Sequence, residues 1–149
     1  MDDQMIPEFP CMCGSLRRAT RSLTQLYERE LRQFGLRSTQ LTILQVLSRT
    51  GELTQRKLGE FLAMDSTSLT RTLAVMLREG WIIERRGEDR RERWIGMSRA
   101  GEKKLGSALP TWEKVQARVR REIGAQSWKD LMQLTRQLTH FAAMEGDSL

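Results

Sequence analysis

Apolar side chains recur at helical spacing over most of the chain. The segment "SLRRATRSLTQLYERELRQFGL" carries apolar residues at spacings of three to five and predicts an amphipathic helix that ends at Gly35. In "STQLTILQVLSRTG" a second, shorter helix is expected, with Ser38 as N-cap and Gly51 as stop. Near the C-terminus, "SWKDLMQLTRQLTHFAAM" predicts a further helix with one apolar stripe.

Two short helices are predicted next to each other in the middle of the chain. "LTQRKLGEFLAM" begins with Thr54 as N-cap, and its expected buried residues are Leu58, Phe61 and Leu62. In "DSTSLTRTLAVMLREG" Asp65 caps the next helix, Gly80 takes the left-handed position after its end, and one face carries Leu69, Leu73, Met76 and Leu77. Two helices joined by so tight a turn are typical of a helix-turn-helix.

The opposite face of this second helix carries small hydroxyls and one arginine. These residues are Ser66, Thr67, Thr70 and Arg71. A helix face exposed only to water more often carries Glu, Lys and Gln, because Ser and Thr do not favour the helical state. The pattern therefore predicts contact with a ligand or partner.

Two β-rich runs follow, "WIIERR" and "ERWIGM", and predict a β-hairpin with a charged loop at its tip. Taken alone, this loop is equally well explained as a solvated hairpin with surface ion pairs. "SRAGEKKL" then starts a helix with Ser98 as N-cap. Pro110 is expected to kink or interrupt that helix before it continues to Gly124.

Length and charge narrow the class of protein. The 149 residues suit one domain, no apolar run is long enough to cross a bilayer, and residues 1–10 show no export signal, so a cytoplasmic protein is expected. The formal net charge of +6 is typical of a protein that meets a polyanion. Most basic residues are Arg, whose fork of donors suits phosphate and guanine edges, which favours nucleic acid.

A helix-turn-helix followed by a charged hairpin, with extra helices at both ends, resembles the MarR family of bacterial transcriptional regulators. The most specific part is the wing, in which Asp89, Arg90 and Arg91 are followed by "ERWIGM" and "SRAGE". Ser98 stands where Thr is commoner in the family, and it keeps the capping hydroxyl. The implied fold is mostly α with a small β-hairpin wing: a winged helix-turn-helix over residues 36–97, flanked by dimerisation helices over 12–35 and 98–145, in one domain.

The resemblance implies a homodimer that binds double-stranded DNA at a pseudo-palindromic operator. The recognition helices would enter successive major grooves and the wings would enter the flanking minor grooves. Asp89 would hold Arg91, and Arg91 would enter the minor groove, whose narrow form attracts arginine. Thr54 and Gln55, at the start of the preceding helix, belong to the same expected DNA-binding set. The helices outside the winged core have apolar stripes that a chain of this size cannot cover alone, which also indicates a partner chain.

Further expectations concern how such a regulator would be controlled. Repression relieved by a small-molecule effector or by oxidation is expected. Cys11 and Cys13 are too close for an ordinary disulfide and are expected to be reduced, partly buried thiols; the alternative is that a thiol at a helix N-terminus reacts with oxidants. Tyr27 and Trp112 lie on helices that border an effector pocket in this family.

Other classes of function are less well supported by the sequence. The glycines form no phosphate-binding cluster, and the single histidine, His140, has no nucleophile or ligand set beside it, so neither an enzyme, a cofactor nor a metal site is expected. The alternative that stays open is a winged-helix protein-interaction module without DNA-binding activity. That class predicts apolar residues on the exposed helix face, where this chain has Ser, Thr and Arg.

Overall fold

The computed structural model describes residues 11–146. Residues 1–10, on which the expectation about an export signal rests, lie outside the described residues, as do residues 147–149. In chain order the elements are α1 (Met12–Leu31), α2 (Ser38–Thr50), β1 (Leu53–Thr54), α3 (Gln55–Leu62), α4 (Ser66–Arg78), β2 (Ile82–Arg86), β3 (Arg93–Met97), α5 (Arg99–Ile123) and α6 (Ala125–Gly146).

A small antiparallel sheet has the strand order β1-β3-β2. β2 and β3 form the predicted hairpin, with Arg85 opposite Trp94 and Arg86 opposite Arg93. β1 was not predicted: its two residues, Leu53 and Thr54, pair with Ile95 and Trp94 of β3. The hairpin is therefore joined to the chain that leads directly into α3.

α3 and α4 form the helix-turn-helix, and their predicted caps are confirmed. The Thr54 hydroxyl accepts a hydrogen bond from the Lys57 amide at 3.2 Å, and the Asp65 carboxylate accepts one from the Ser68 amide at 2.8 Å. Between the helices the backbone reverses at Ala63, which has φ 50° and ψ 41°. The helices approach closely at Gly59, where an added Cβ would lie 3.3 Å from the Leu69 side chain.

The hydrophobic core is formed by the end of α1, by α2, α3 and α4, by the sheet and by the first half of α5. Its most buried side chains are Leu31, Leu41, Ile43, Leu44, Leu58, Leu69, Met76 and Ile95. The predicted apolar face of α4 is confirmed, since Leu73 is buried as well and Leu77 packs against the core. The prediction for Phe61 is wrong: it is 65% exposed, because α3 turns only the side of Leu58 and Leu62 towards the core.

Several helix boundaries differ from the sequence prediction. α1 ends at Leu31 and is followed by a short 3₁₀ turn, Arg32–Phe34, before Gly35 takes a left-handed φ of 66°. Ser38 is not the N-cap of α2 but its first residue; the N-cap is Arg37, whose amide donates to the Gln40 side-chain carbonyl at 2.9 Å. Gln40 is the third residue of the helix, and its side chain thereby satisfies the backbone amide of Arg37.

α5 begins as predicted, with the Ser98 hydroxyl accepting from the Gly101 amide at 3.0 Å. Of the two outcomes expected at Pro110, a kink or an interruption, the interruption is wrong, because one α-helix runs from Arg99 to Ile123. Proline removes a single helical hydrogen bond. Buried residues on both sides of it, Leu105 and Val115 among them, anchor the two halves of the helix on the rest of the fold.

The terminal helices leave much apolar surface uncovered. α6 has 22 residues and no buried one. Its exposed apolar side chains are Leu131, Met132, Leu134, Phe141 and Met144, and α1 adds Met12, Leu16 and Leu23. Over the described part of the chain, no helix is long and apolar enough to cross a membrane.

Candidate nucleic-acid interface

A cleft of about 990 Å³ lies between α3, α4 and the loop that joins β2 to β3. We call this loop, residues 87–92, the wing loop. The cleft brings together six of the nine predicted DNA-binding residues: Thr54, Gln55, Ser66, Thr70, Asp89 and Arg91. The other three, Thr67, Arg71 and Arg90, are exposed but do not line the cleft.

The polar face of α4 is exposed as expected. Ser66 and Thr70 lie one turn apart and face the cleft, whereas Thr67 and Arg71 lie on the adjoining strip of the helix. Gln55 donates a hydrogen bond to the Thr70 hydroxyl at 2.9 Å. This contact holds the start of α3 against α4, so two of the predicted residues also serve to fix the helix pair.

Asp65 stabilises the N-terminus of α4, the end that borders the cleft. Hydrogen bonds from the amide and hydroxyl of Ser68 hold the pKa of the Asp65 carboxyl below its usual range. The carboxylate also interacts favourably with the positive end of the helix dipole.

The wing loop has a compact internal hydrogen-bond pattern around Asp89. The Asp89 carboxylate accepts from the Arg91 backbone amide at 2.9 Å, and the Asp89 carbonyl accepts from the Glu92 amide at 2.9 Å. Asp89 thus acts on Arg91 through the backbone turn rather than through the guanidinium group. Within the described part of the chain, the Arg91 guanidinium forms no ion pair.

Arg90 contributes to the loop through its backbone. Its carbonyl accepts a hydrogen bond from the Arg86 guanidinium at 3.0 Å, while its own side chain is exposed outside the cleft. On the opposite side of the loop, the Gly87 amide donates to the Glu92 carbonyl at 3.0 Å. These two contacts close the loop, while the side chains of Arg90 and Arg91 are exposed.

Two arginines that the sequence analysis missed also line the cleft. Arg56 of α3 pairs with Glu60 one turn later at 2.9 Å, and Arg93 of β3 pairs with Glu84 of β2 at 3.5 Å. Arg56 directly follows Gln55 and is exposed in the first turn of α3. That position was the signal by which the sequence could have identified it as a DNA-binding residue.

Tyr27 and Trp112 line a second cleft, of about 340 Å³, between α1, α2 and α5. None of the described residues that line this cleft is charged. Two polar atoms of residues in its wall, Nε2 of Gln45 and Oε1 of Gln116, are buried and have no hydrogen-bond partner among residues 11–146. Burial raises the pKa of the Tyr27 phenol.

The expectation that the cysteines are partly buried is wrong, since Cys11 and Cys13 are both exposed. Cys11 is the N-cap of α1, and its sulfur accepts from the Gly14 amide at 3.5 Å. The Cys13 sulfur lies 3.5 Å from the Arg17 guanidinium. Both thiols lie before or within the first turn of α1, where little of the described part of the chain covers them. Among the described residues no group of histidines, cysteines and carboxylates could hold a metal ion.

The sequence and the fold both match known transcriptional regulators. Residues 34–92 match the family model described as MarR family. The chain is also 35% identical to the M. tuberculosis transcriptional regulator MosR in a crystal structure with DNA, over 86% of this chain and 96% of that one, with a TM-score of 0.76. The chain belongs to the MarR family.

Two other relatives agree with this assignment. A structure of MarR is 26% identical over 96% of this chain and 98% of that one, with a TM-score of 0.77. YwoH of Bacillus subtilis (strain 168), an HTH-type transcriptional regulator, is 30% identical over 89 residues; the matched part is 60% of this chain and 65% of YwoH. The recognised MarR elements include α3, α4 and the wing loop, which form the large cleft.

Proposed function

We propose that this MarR-family protein is a sequence-specific DNA-binding transcriptional regulator that acts as a homodimer in the cytoplasm. The observation that carries the proposal is the cleft in which the polar face of α4 and Arg91 of the wing loop meet. A helix of the width of α4 fits the major groove, and an extended arginine fits the minor groove beside it. The DNA in the MosR structure supports the same assignment.

The roles of the site residues follow from their positions. Ser66, Thr67, Thr70 and Arg71 contact base edges and nearby phosphates, while Thr54 and Gln55 position the start of α3 against the backbone. Arg91 enters the minor groove, Asp89 shapes the turn that presents it, and Arg90 reaches a flanking phosphate. The relatives are regulators rather than enzymes, and we assign this chain no catalytic role.

The dimer uses the uncovered apolar surface of α1 and α6. Phe141 and Met144 are 62% and 60% exposed in the single chain, which is unusual for large apolar side chains grouped on one helix. A second copy would cover them and bring two α4 helices to one face of DNA. Sedimentation at micromolar concentration is expected to give twice the 17.3 kDa of the chain. A monomer under these conditions would contradict the dimer.

Selection of bound fragments from random DNA tests the main proposal. The expected product is a pseudo-palindrome with half-sites about one helical turn apart, roughly 10 bp from centre to centre. Arg71→Ala and Arg91→Ala should each weaken binding to it, with Arg71→Ala altering preference inside a half-site. Lack of enrichment for any sequence would refute sequence-specific recognition. That outcome would favour the alternative of a protein-interaction module. The exposed hydroxyls of α4 argue against this alternative.

We further propose that repression is relieved by a small molecule bound between α1, α2 and α5. Tyr27 and Trp112 supply the aromatic walls of the 340 Å³ cleft, and Gln45 and Gln116 leave hydrogen-bonding capacity in its wall. An unpaired buried polar atom is unfavourable, and a ligand that pairs with it removes that penalty. Screening small molecules for release of the selected DNA tests this, with Trp112→Phe as the variant that should weaken the response.

Oxidation is the other proposed signal. The sulfurs of Cys11 and Cys13 are exposed at the N-terminus of α1, so an oxidant in solution can reach both of them. Peroxide should release the wild type from DNA and leave the Cys11→Ser, Cys13→Ser double mutant bound. Equal behaviour of the two proteins would exclude these cysteines as the sensor.

A further inference from the structure

An ion pair outside the cleft joins the start of the helix-turn-helix to the wing. Glu52 directly precedes β1, and Arg85 lies on β2. The Nε and Nη2 atoms of Arg85 lie 2.8 and 2.7 Å from the same Glu52 carboxylate oxygen. Because β3 lies between β1 and β2, this contact spans the central strand of the sheet.

Gly96 makes that span possible. Leu53 pairs with Ile95, so Glu52 lies beside Gly96 at the next position of the ladder. A Cβ added to Gly96 would lie 3.0 Å from Cγ and 3.3 Å from Oε1 of Glu52. The glycine therefore leaves the space over β3 through which the Glu52 side chain reaches Arg85.

The contact continues from Arg85 to the wing loop. The Arg85 guanidinium carbon lies 4.8 Å from the centre of the Trp94 ring, and the two residues are opposite each other on β2 and β3. The Trp94 indole N–H donates to the Glu92 carboxylate at 3.3 Å. The Glu92 amide in turn donates to the Asp89 carbonyl, so a continuous line of contacts runs from Glu52 to the turn that carries Arg91.

We propose that Glu52, Arg85 and Trp94 form a positioning cluster that sets the direction of the wing relative to α4, so that Arg91 and the recognition helix meet DNA in register. This inference rests on the proposed DNA-binding function. A two-stranded hairpin is marginally stable alone, so the direction of its tip depends on what holds its base.

The cluster is suited to orientation rather than to overall stability. The Arg85 and Glu52 side chains are 55% and 37% exposed, and exposed ion pairs contribute little to the free energy of unfolding. A planar guanidinium that is both paired with a carboxylate and stacked on an indole has few alternative positions. The hydrogen bond from Arg85 also holds the pKa of the Glu52 carboxyl below its usual range.

Matched charge variants separate positioning from electrostatics. Glu52→Gln and Glu88→Gln each remove one negative charge, and on charge alone both should tighten binding to DNA. Positioning predicts the opposite for Glu52→Gln: affinity for the selected DNA about threefold to tenfold weaker, with a melting temperature close to wild type. Arg85→Lys, which keeps the charge but loses the fork and the stack, should also bind more weakly. Tightening by Glu52→Gln to the extent seen with Glu88→Gln would overturn the inference.

Double mutants show through which contact the cluster acts. In the Glu52→Gln background, Arg91→Ala should weaken binding less than it does in the wild type, because the wing is already misdirected. Arg71→Ala, on α4, should weaken binding by the same factor in both backgrounds. If Glu52 acted only through general stability, Glu52→Gln would change the effects of Arg71→Ala and Arg91→Ala on binding to the same extent. Equal additivity for both would refute the positioning role.

A measurement without DNA tests the positioning of the wing separately from DNA binding. Spin labels attached at Glu88→Cys and Thr67→Cys report the distance from the wing to α4. Cys11 and Cys13 are replaced by Ser, and labelled chains are diluted with unlabelled ones. Glu52→Gln should broaden the distance distribution. An unchanged distribution would overturn the inference, whereas failure of the wild type to select DNA would contradict the proposed function alone.

Discussion

Gly101 occupies the tightest contact that we find between α5 and the sheet. It is the third residue of α5 and is buried. A Cβ built on it would lie 2.0 Å from the Trp81 carbonyl oxygen and 2.9 Å from Cγ of Met97. The same carbonyl accepts a hydrogen bond from the Ser98 amide at 3.1 Å, so neither side can move away without losing that bond. Gly101→Ala therefore pushes α5 away from Trp81, the residue that precedes β2.

The expected magnitude comes from two opposing effects. Replacing glycine by alanine inside a helix stabilises it by about 1 kcal/mol. Overpacking of a tight site typically destabilises by about 1–3 kcal/mol or somewhat more, and this site belongs at the upper end because the clash is with backbone. We expect Gly101→Ala to lose about 2 kcal/mol or more, which lowers the melting temperature by about 4–8 °C.

Gly106 of the same helix provides the matched control. A Cβ on Gly106 meets no atom of the described residues within 4 Å, so Gly106→Ala should stabilise the protein by about 1 kcal/mol. Urea unfolding followed by helical circular dichroism measures both variants, at one protein concentration because unfolding of a dimer depends on concentration. Equal stability of the two variants would refute the argument that the Trp81 carbonyl forbids a side chain at Gly101.

Three other predictions concern single residues. Ala63→Gly should stabilise the protein by up to about 1 kcal/mol in urea unfolding, because Ala63 has a φ of 50°, which glycine adopts without strain; a clear loss of stability would contradict this. Asp89→Ala and Arg91→Ala should both weaken operator binding, with Arg91→Ala reducing the salt slope by about 1 per wing; tighter binding by Asp89→Ala at every salt concentration would refute its role in shaping the turn. Tyr27, the only tyrosine, should ionise at a higher pH in the folded than in the unfolded protein, so its contribution to stability is present below the ordinary tyrosine pKa and is lost as the pH rises past it. Ultraviolet titration with and without denaturant measures the two ionisation midpoints, and coincident midpoints would contradict the prediction.

Much of the fold follows from local features of the sequence. Thr54, Asp65 and Ser98 are N-caps as predicted, because a cap needs only a hydroxyl or carboxylate and an amide three residues later. The apolar face of α4 follows from the helical period, and the hairpin follows from its two β-rich runs. Such features depend on residues within a few positions of each other, so sequence alone is sufficient.

Other features were decided only when distant segments came together. β1 has two residues and no periodicity, and it exists because β3 returns beside it. Phe61 carries the same apolar signal as Leu58, yet α3 turns only the side of Leu58 and Leu62 towards the core and leaves Phe61 exposed. Whether Pro110 interrupts α5 depends on what anchors the helix on both sides of it.

The candidate site shows the same division. The hydroxyls of α4 and the Asp89 motif were recognised from the sequence, but their meeting in one cleft depends on how the sheet sets the hairpin against α3. The contact between Glu52 and Arg85 joins residues 33 positions apart and crosses a strand through the space left by Gly96. No local pattern contains that contact, because it exists only where the ladder places three separate segments side by side.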